Sequence, residues 1–282
     1  MIFKILSLEA PVDRPLLLVL THDVDWPRHG PPREHVLRRL DRFEPEDQRR
    51  FLERGENIYY GVELLMEWEE RAGVRSTFFF RPVYDDGSTV EGYSDVMAEL
   101  SRRGWEIGLH ANSGEDPGRV AEEKRMLEAV AGREVVSMRV HMLRLNPAVL
   151  PRLREVGVRL DSSLCYSREG PDPRSSGCLL FGEVVELPIT VMDAYLFTYW
   201  GVKPGRVVDV VMGFLRLVRE SGGCIATLLW HDNSARMRGG REYSRLLEEL
   251  QASEWLEPIR MLDAPRHLQR HGCQCYPAGA GQ

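Results

Sequence analysis

The chain has 282 residues, 43% hydrophobic and 28% charged, with a formal net charge of -6. This is a globular composition, long enough for one α/β barrel or two small domains with a sizeable core. The acidic balance, and the lack of a basic stretch interleaved with aromatic residues, argue against nucleic acid as a partner.

The start, Met1 to Leu8, is too short for a secretory h-region and has no cleavage site. No apolar run approaches a membrane span. A soluble, cytoplasmic protein is therefore expected. The five cysteines (165, 178, 224, 273 and 275) are odd in number and show no C-x-x-C spacing. That pattern argues against both a structural zinc site and a disulfide framework. Residues 271–282 are expected to form a disordered tail behind a single domain spanning 1–270.

The first element is the apolar run Leu16 to Leu20, bracketed by Pro15 and Pro27, which reads as a buried strand. It ends in Thr21-His22-Asp23-Val24-Asp25. Two carboxylates so close repel one another unless a metal ion or an arginine takes up their charge. A polar insertion follows at about 26–57, with short helices expected over 34–43 and 45–54; such a segment suits a lid or binding loop.

Helices are then expected over 61–72, 94–103, 116–130, 146–156, 203–220 and 243–250, several with Gly just after the end or Asn/Asp-Pro at the start. Strands are expected over 74–80, 105–109, 134–140, 158–160, 184–187, 224–230 and 259–262. The alternation implies a parallel sheet with crossover helices. The number of units fits a closed or nearly closed (β/α) barrel. There is no Gly-x-Gly-x-x-Gly and no P-loop.

Asp23, Asp25, His110, Arg139, His141, Asp161, His231 and Asp232 all fall at or just after strand C-termini. In a barrel those ends share one rim, where active sites are built. Oxygen and imidazole donors suit a divalent ion, without choosing among zinc, iron, cobalt, nickel and manganese. Trp26, Tyr195, Trp200 and Trp230 could stack on sugar rings or simply pack.

These residues resemble the polysaccharide-deacetylase (NodB-homology) superfamily, over about Leu16 to Asn233. Thr21-His22-Asp23-Val24-Asp25 is similar to a D-x-D form of that family's first motif. Ser76-Thr77-Phe78-Phe79-Phe80, Glu106 to His110, Arg139-Val140-His141-Met142, Asp161-Ser162-Ser163, Glu186-Leu187-Pro188 and Leu228 to His231 resemble its later segments in order. The resemblance implies a distorted α/β barrel of one domain and metal-dependent deacetylation. It casts Asp23 as general base, Asp25 and His110 as metal ligands, Arg139 as the group orienting Asp23, and His231 as general acid.

The family's second metal-binding histidine is replaced here by Gly114. His141, on the adjacent rim position, is expected to supply the missing imidazole, and Asp161 to assist His231. The expected cofactor is a divalent metal ion, zinc first. The expected substrate is an N-acetylated amino sugar, as a small molecule or oligosaccharide. The alternatives are another non-peptide amide, or a glycan-binding barrel without turnover. The sequence does not address the oligomeric state.

Overall fold

The computed structural model describes residues 14–278, so Met1 to Leu8 and the last four residues of the expected tail lie outside the described residues. Strand β1, Leu16–Val24, is buried along all nine residues, as an apolar run with no polar alternation requires. After it come helices α1 (Arg33–Leu37), α2 (Pro45–Arg54) and α3 (Val62–Arg71). The chain continues through β2 (Thr77–Phe80), α4 (Ser94–Arg102), β3 (Glu106–Ala111), α5 (Pro117–Ala131), β4 (Ser137–Val140) and α6 (Leu150–Leu153). Next are β5 (Leu160–Asp161), β6 (Leu179–Phe181), β7 (Val184–Glu186), β8 (Ile189–Met192), α7 (Asp193–Thr198) and α8 (Val207–Glu220). The last are β9 (Ile225–Leu229), α9 (Glu242–Gln251), β10 (Leu256–Ile259), α10 (Ala264–Arg270) and β11 (Tyr276–Pro277).

One curled sheet runs β11-β6-β7-β5-β4-β3-β2-β1-β9-β8, with β10 also on β1. All pairings are parallel except β6 with β7. Strand β1 has three partners: β10 beside Leu16–Val19, β9 beside Leu17–Thr21, and β2 beside Thr21–Val24. This is the expected distorted α/β barrel, left open rather than closed.

Period-two alternation sorts the strand residues into two layers. Leu17 and Val19 face the barrel interior with Phe79, Leu160, Leu187, Ile225 and Ile259. Leu16, Leu18, Leu20 and Val24 face the helices in the larger core with Leu65, Phe78, Phe80 and Leu228. Also on the helix side, His22 lies against Glu69 of α3, whose buried carboxylate accepts from Ser76, Trp105 and Tyr243 as well. A buried carboxylate needs such a set of donors to stay in place.

Some expectations are corrected. The helix expected over 146–156 is broken into two 3-10 turns around the four-residue α6, because Pro151 interrupts the hydrogen-bond ladder. The last barrel strand lies at Leu256–Ile259, not 259–262, and Met261–Asp263 is a 3-10 turn. Residues 271–278 are not a disordered tail. Strand β11 pairs with β6, and Cys275 and Cys273 are bonded to Cys178 and Cys224. Two disulfides therefore replace the expectation of none, and Cys165 is the free thiol. Spacing in sequence could not reveal them, because they join cysteines 97 and 49 residues apart.

The insertion forms a small core of its own, with Val36, Phe43, Phe51, Ile58 and Tyr59 packed beside Trp26. It is anchored to the segment after β9 by an Arg241–Asp47 ion pair and by the Arg238 N–H donating to Arg42 O at 2.9 Å. No helix among the described residues is long and apolar enough to cross a membrane.

Candidate metal centre and active site

The alternation that sends Leu17 and Val19 inward also sends Thr21 and Asp23 inward, and Asp25 follows just past the strand end. On β3 the same face carries Glu106, Gly108 and His110, and on β4 it carries Ser137 and Arg139. A Cβ on Gly108 would sit 2.4 Å from the Phe79 ring, so glycine is what lets that ring lie across the interior. The Arg139 guanidinium stacks over the same ring at 4.7 Å.

Arg139 is fully buried and every nitrogen is used. Nη1 donates to Asp23 Oδ1 and Thr21 Oγ1, both at 2.9 Å, while Nε and Nη2 donate at 2.7 Å to Ser162 O and Ser162 Oγ. Burial alone would raise the Asp23 pKa. The charges of Arg139 and His110 outweigh it and hold the carboxyl below its ordinary range.

Asp25, His110 and His141 converge at the mouth, their donor atoms all within 4.8 Å of one another. His110 Nε2 and His141 Nδ1 lie 3.2 and 3.3 Å from Asp25 Oδ1, and 3.2 Å from each other. His110 Nδ1 faces the Arg139 carbonyl at 3.1 Å, so its N–H is directed there and the Nε2 lone pair turns to the cluster. Acceptors gathered this closely require a positive charge among them. Two imidazoles and a carboxylate are a donor set that fits a divalent cation with positions left open. Burial works against ionisation of Asp25, but the neighbouring imidazoles of His110 and His141 hold its pKa well below the usual range. His141 thus stands beside Asp25 and His110.

Gly114 packs against the backbone of the segment that follows His141. A Cβ there would meet the Arg144 backbone oxygen at 2.4 Å. The turn that follows His141 is strained, with Met142 and Leu143 at φ 58° and 54°. Non-glycine residues in that region concentrate at functional sites.

His231 follows β9 on the opposite wall. Its Nδ1 lies 2.6 Å from Asp193 Oδ1, and its Nε2 faces Asp25 Oδ2 at 3.8 Å. Asp193 also accepts from the His231 and Ala194 backbone N–H groups and from the Ser234 hydroxyl. Burial would lower the His231 pKa, but the Asp193 carboxylate pushes it up to about 10. Beside it, burial and the Asp25 charge push Asp232 well above the ordinary carboxyl range.

The carboxylate behind His231 is therefore Asp193, at the start of α7, and not Asp161. Leu160 faces the barrel interior, so the pleat turns Asp161 to the other side of the sheet. There it accepts from Ser163 and shares its surroundings with the buried Glu186. Burial raises the pKa of both acids, and repulsion from Asp161 raises that of Glu186 further. Asp193 went unread because no motif marks it: it reaches His231 only because β8 lies beside β9.

Asp23, Asp25, His110, His141 and His231 open into one cleft of about 490 Å³, walled by Met142, Leu143, Arg168, Tyr195 and Tyr199. That is the size of a small-molecule site. Of the aromatic residues expected to stack on sugar, Tyr195 lines the cleft. Trp230 is fully buried, Trp200 donates to Ser167 O at 2.9 Å, and Trp26 packs on His35 and Tyr59.

No protein-family model and no curated protein matches the chain. Solved structures do. A protein from Mycobacterium smegmatis assigned as a polysaccharide deacetylase aligns over 95% of both chains at 20% identity, with a TM-score of 0.66. An allantoinase aligns over 90% of both at 14% identity, with a TM-score of 0.61. A mutant CE4 family pseudoenzyme with restored enzymatic activity aligns over 89% of this chain and 68% of that one, at 12% identity and a TM-score of 0.53. The open barrel, its strand order and these neighbours together show that the chain has the polysaccharide-deacetylase, or NodB-type, fold.

Proposed function

We propose that the chain is a metal-dependent hydrolase that removes an N-acyl group, acetyl first, from an amino sugar or a related small substrate. What supports this is one arrangement: a metal-type donor triad, a clamped carboxylate and a carboxylate-backed imidazole open into the same cleft. Asp25, His110 and His141 would hold the cation, zinc first, with iron, cobalt, nickel or manganese as alternatives that the same donors suit. When bound, such an ion polarises a carbonyl and lowers the pKa of water towards about 7.

The chain's own residues do the rest. Arg139 fixes Asp23 through Oδ1 and keeps it ionised, so Asp23 can take a proton from the attacking water as general base. Arg139 is a positioning residue and does not line the cleft. Asp193 holds the Nδ1 side of His231, which leaves Nε2 facing the cleft to protonate the departing amine. Water adds to the acyl carbon, the C–N bond breaks, and a carboxylate and an amine leave.

A second reading keeps the residues and changes the bond: a non-peptide amide outside carbohydrates, favoured by the neighbour named as an allantoinase. The two disulfides suit an oxidising compartment better than the cytoplasm, hyperthermophile interiors excepted. This favours a substrate at the cell surface.

Purified protein loaded with zinc and offered N-acetylglucosamine oligomers, and in parallel a panel of small linear and cyclic amides, tests both readings. Acetate release from the sugars supports the first, and turnover of the panel alone supports the second. Stoichiometric metal with no turnover on either set, or no metal uptake at all, refutes both and leaves a binding protein.

A further inference from the structure

We propose that Glu257, His267 and His271 form a second divalent-cation site, structural in role, on the face of the barrel opposite the catalytic mouth. His267 and His271 are four residues apart at the C-terminal end of α10, so their side chains stand one turn apart on the same helix face. Both reach Glu257 of β10. His267 Nδ1 lies 2.8 Å from Glu257 Oε1, and His271 Nε2 lies 2.7 Å from Oε2. All three ligand atoms lie within 4.8 Å of one another. Each imidazole has its own carboxylate oxygen, and each ring is about one-sixth exposed, which leaves room for water to complete a coordination shell.

Two imidazoles four residues apart plus a carboxylate from another element match the spacing and donor types of zinc sites. Borderline metals such as zinc, cobalt or nickel suit this set, whereas calcium and magnesium call for oxygen donors. The negative end of the α10 dipole favours a cation there too. The competing charge is Arg270, with Nη1 at 3.8 Å from Glu257 Oε1 on a largely exposed side chain.

Glu257 pairs in register with Leu17, six residues before Asp23, which places it about 20 Å along the strand direction from Asp23. In barrels that N-terminal face serves stability rather than chemistry. A cation there would tie α10 to β10 just ahead of Cys273, which is already bonded to Cys224.

Zinc titration by calorimetry, with thermal unfolding, tests this. A His110→Ala background removes the catalytic cluster. That variant should still bind one equivalent of zinc and gain thermal stability from it. Adding His267→Ala, or separately Glu257→Gln, should weaken this binding by more than the roughly 10–100-fold that loss of an outer-shell partner gives. In the wild-type background His267→Ala should leave turnover unchanged. The site is refuted if His110→Ala binds no zinc, or if the double variants bind and respond as the single one does.

Discussion

Asp193 Oδ1 lies 2.6 Å from His231 Nδ1, and the same carboxylate takes the His231 backbone N–H at 3.1 Å. The imidazole is held at two points, so its tautomer and its direction are set together. Asp193→Asn should lower turnover by roughly 10²–10⁴-fold, the range for a positioned acid–base group. In the metal-free protein the imidazole should titrate near the value of about 10 that Asp193 imposes, and in the variant it should fall towards its ordinary range. A raised folded-state value means stability that is fully present below the unfolded value of about 6.5. That stability is lost as pH rises through about 10. The stability gap between wild type and variant in urea should therefore be wide at pH 6 and narrow above pH 10. An equal gap at both would remove the ion pair as its cause.

Asp23 and Asp25 stand two residues apart but make different contacts, Arg139 for the first and two imidazoles for the second. Asp23→Asn should retain metal and lose turnover. Asp25→Asn should lose both. Metal content of the purified variants, measured beside acetate release, distinguishes them. Similar metal loss in both would mean that Asp23 is a ligand.

In the proposed site, His141 supplies the imidazole that the family resemblance would place at position 114. His141→Ala should weaken zinc binding by more than about 100-fold, beyond the roughly 10–100-fold typical of outer-shell losses. A His141→Ala/Gly114→His double variant should not recover it, since a Cβ at 114 runs into the Arg144 backbone oxygen. Gly114→His alone should cost about 1–3 kcal/mol of stability from overpacking. Recovery of zinc binding in the double variant would show that the 114 loop can reach the metal.

Cys178–Cys275 and Cys224–Cys273 close long stretches of chain. Each should stabilise the fold by roughly 2–5 kcal/mol, mainly by restricting the unfolded chain. Unfolding in urea with and without reductant should show a clear loss of stability on reduction, and Cys224→Ser/Cys273→Ser should account for part of it. No change on reduction would mean that β11 and α10 hold the C-terminal segment without them.

Much of the site is legible in the chain itself. The run Leu16–Leu20, the segment Glu106–Leu109 and the apolar run before His231 each end in a polar residue, and in a parallel barrel such ends meet on one rim. Because side chains alternate along a strand, the inward placement of Asp23, His110 and Arg139 follows from their strands alone. His141 could be reached the same way. Asp161 could not be, since a two-residue strand carries no alternation from which to read its face. The Asp193–His231 pair joins residues 38 apart, and it exists only because β8 packs against β9. The disulfides and the Glu257–His267–His271 cluster likewise depend on which surfaces the fold brings within a few ångströms. Local periodicity determines which way a side chain points along its own strand. Which distant group it meets is decided by the order of strands in the sheet, and that order is set by the burial of the whole core.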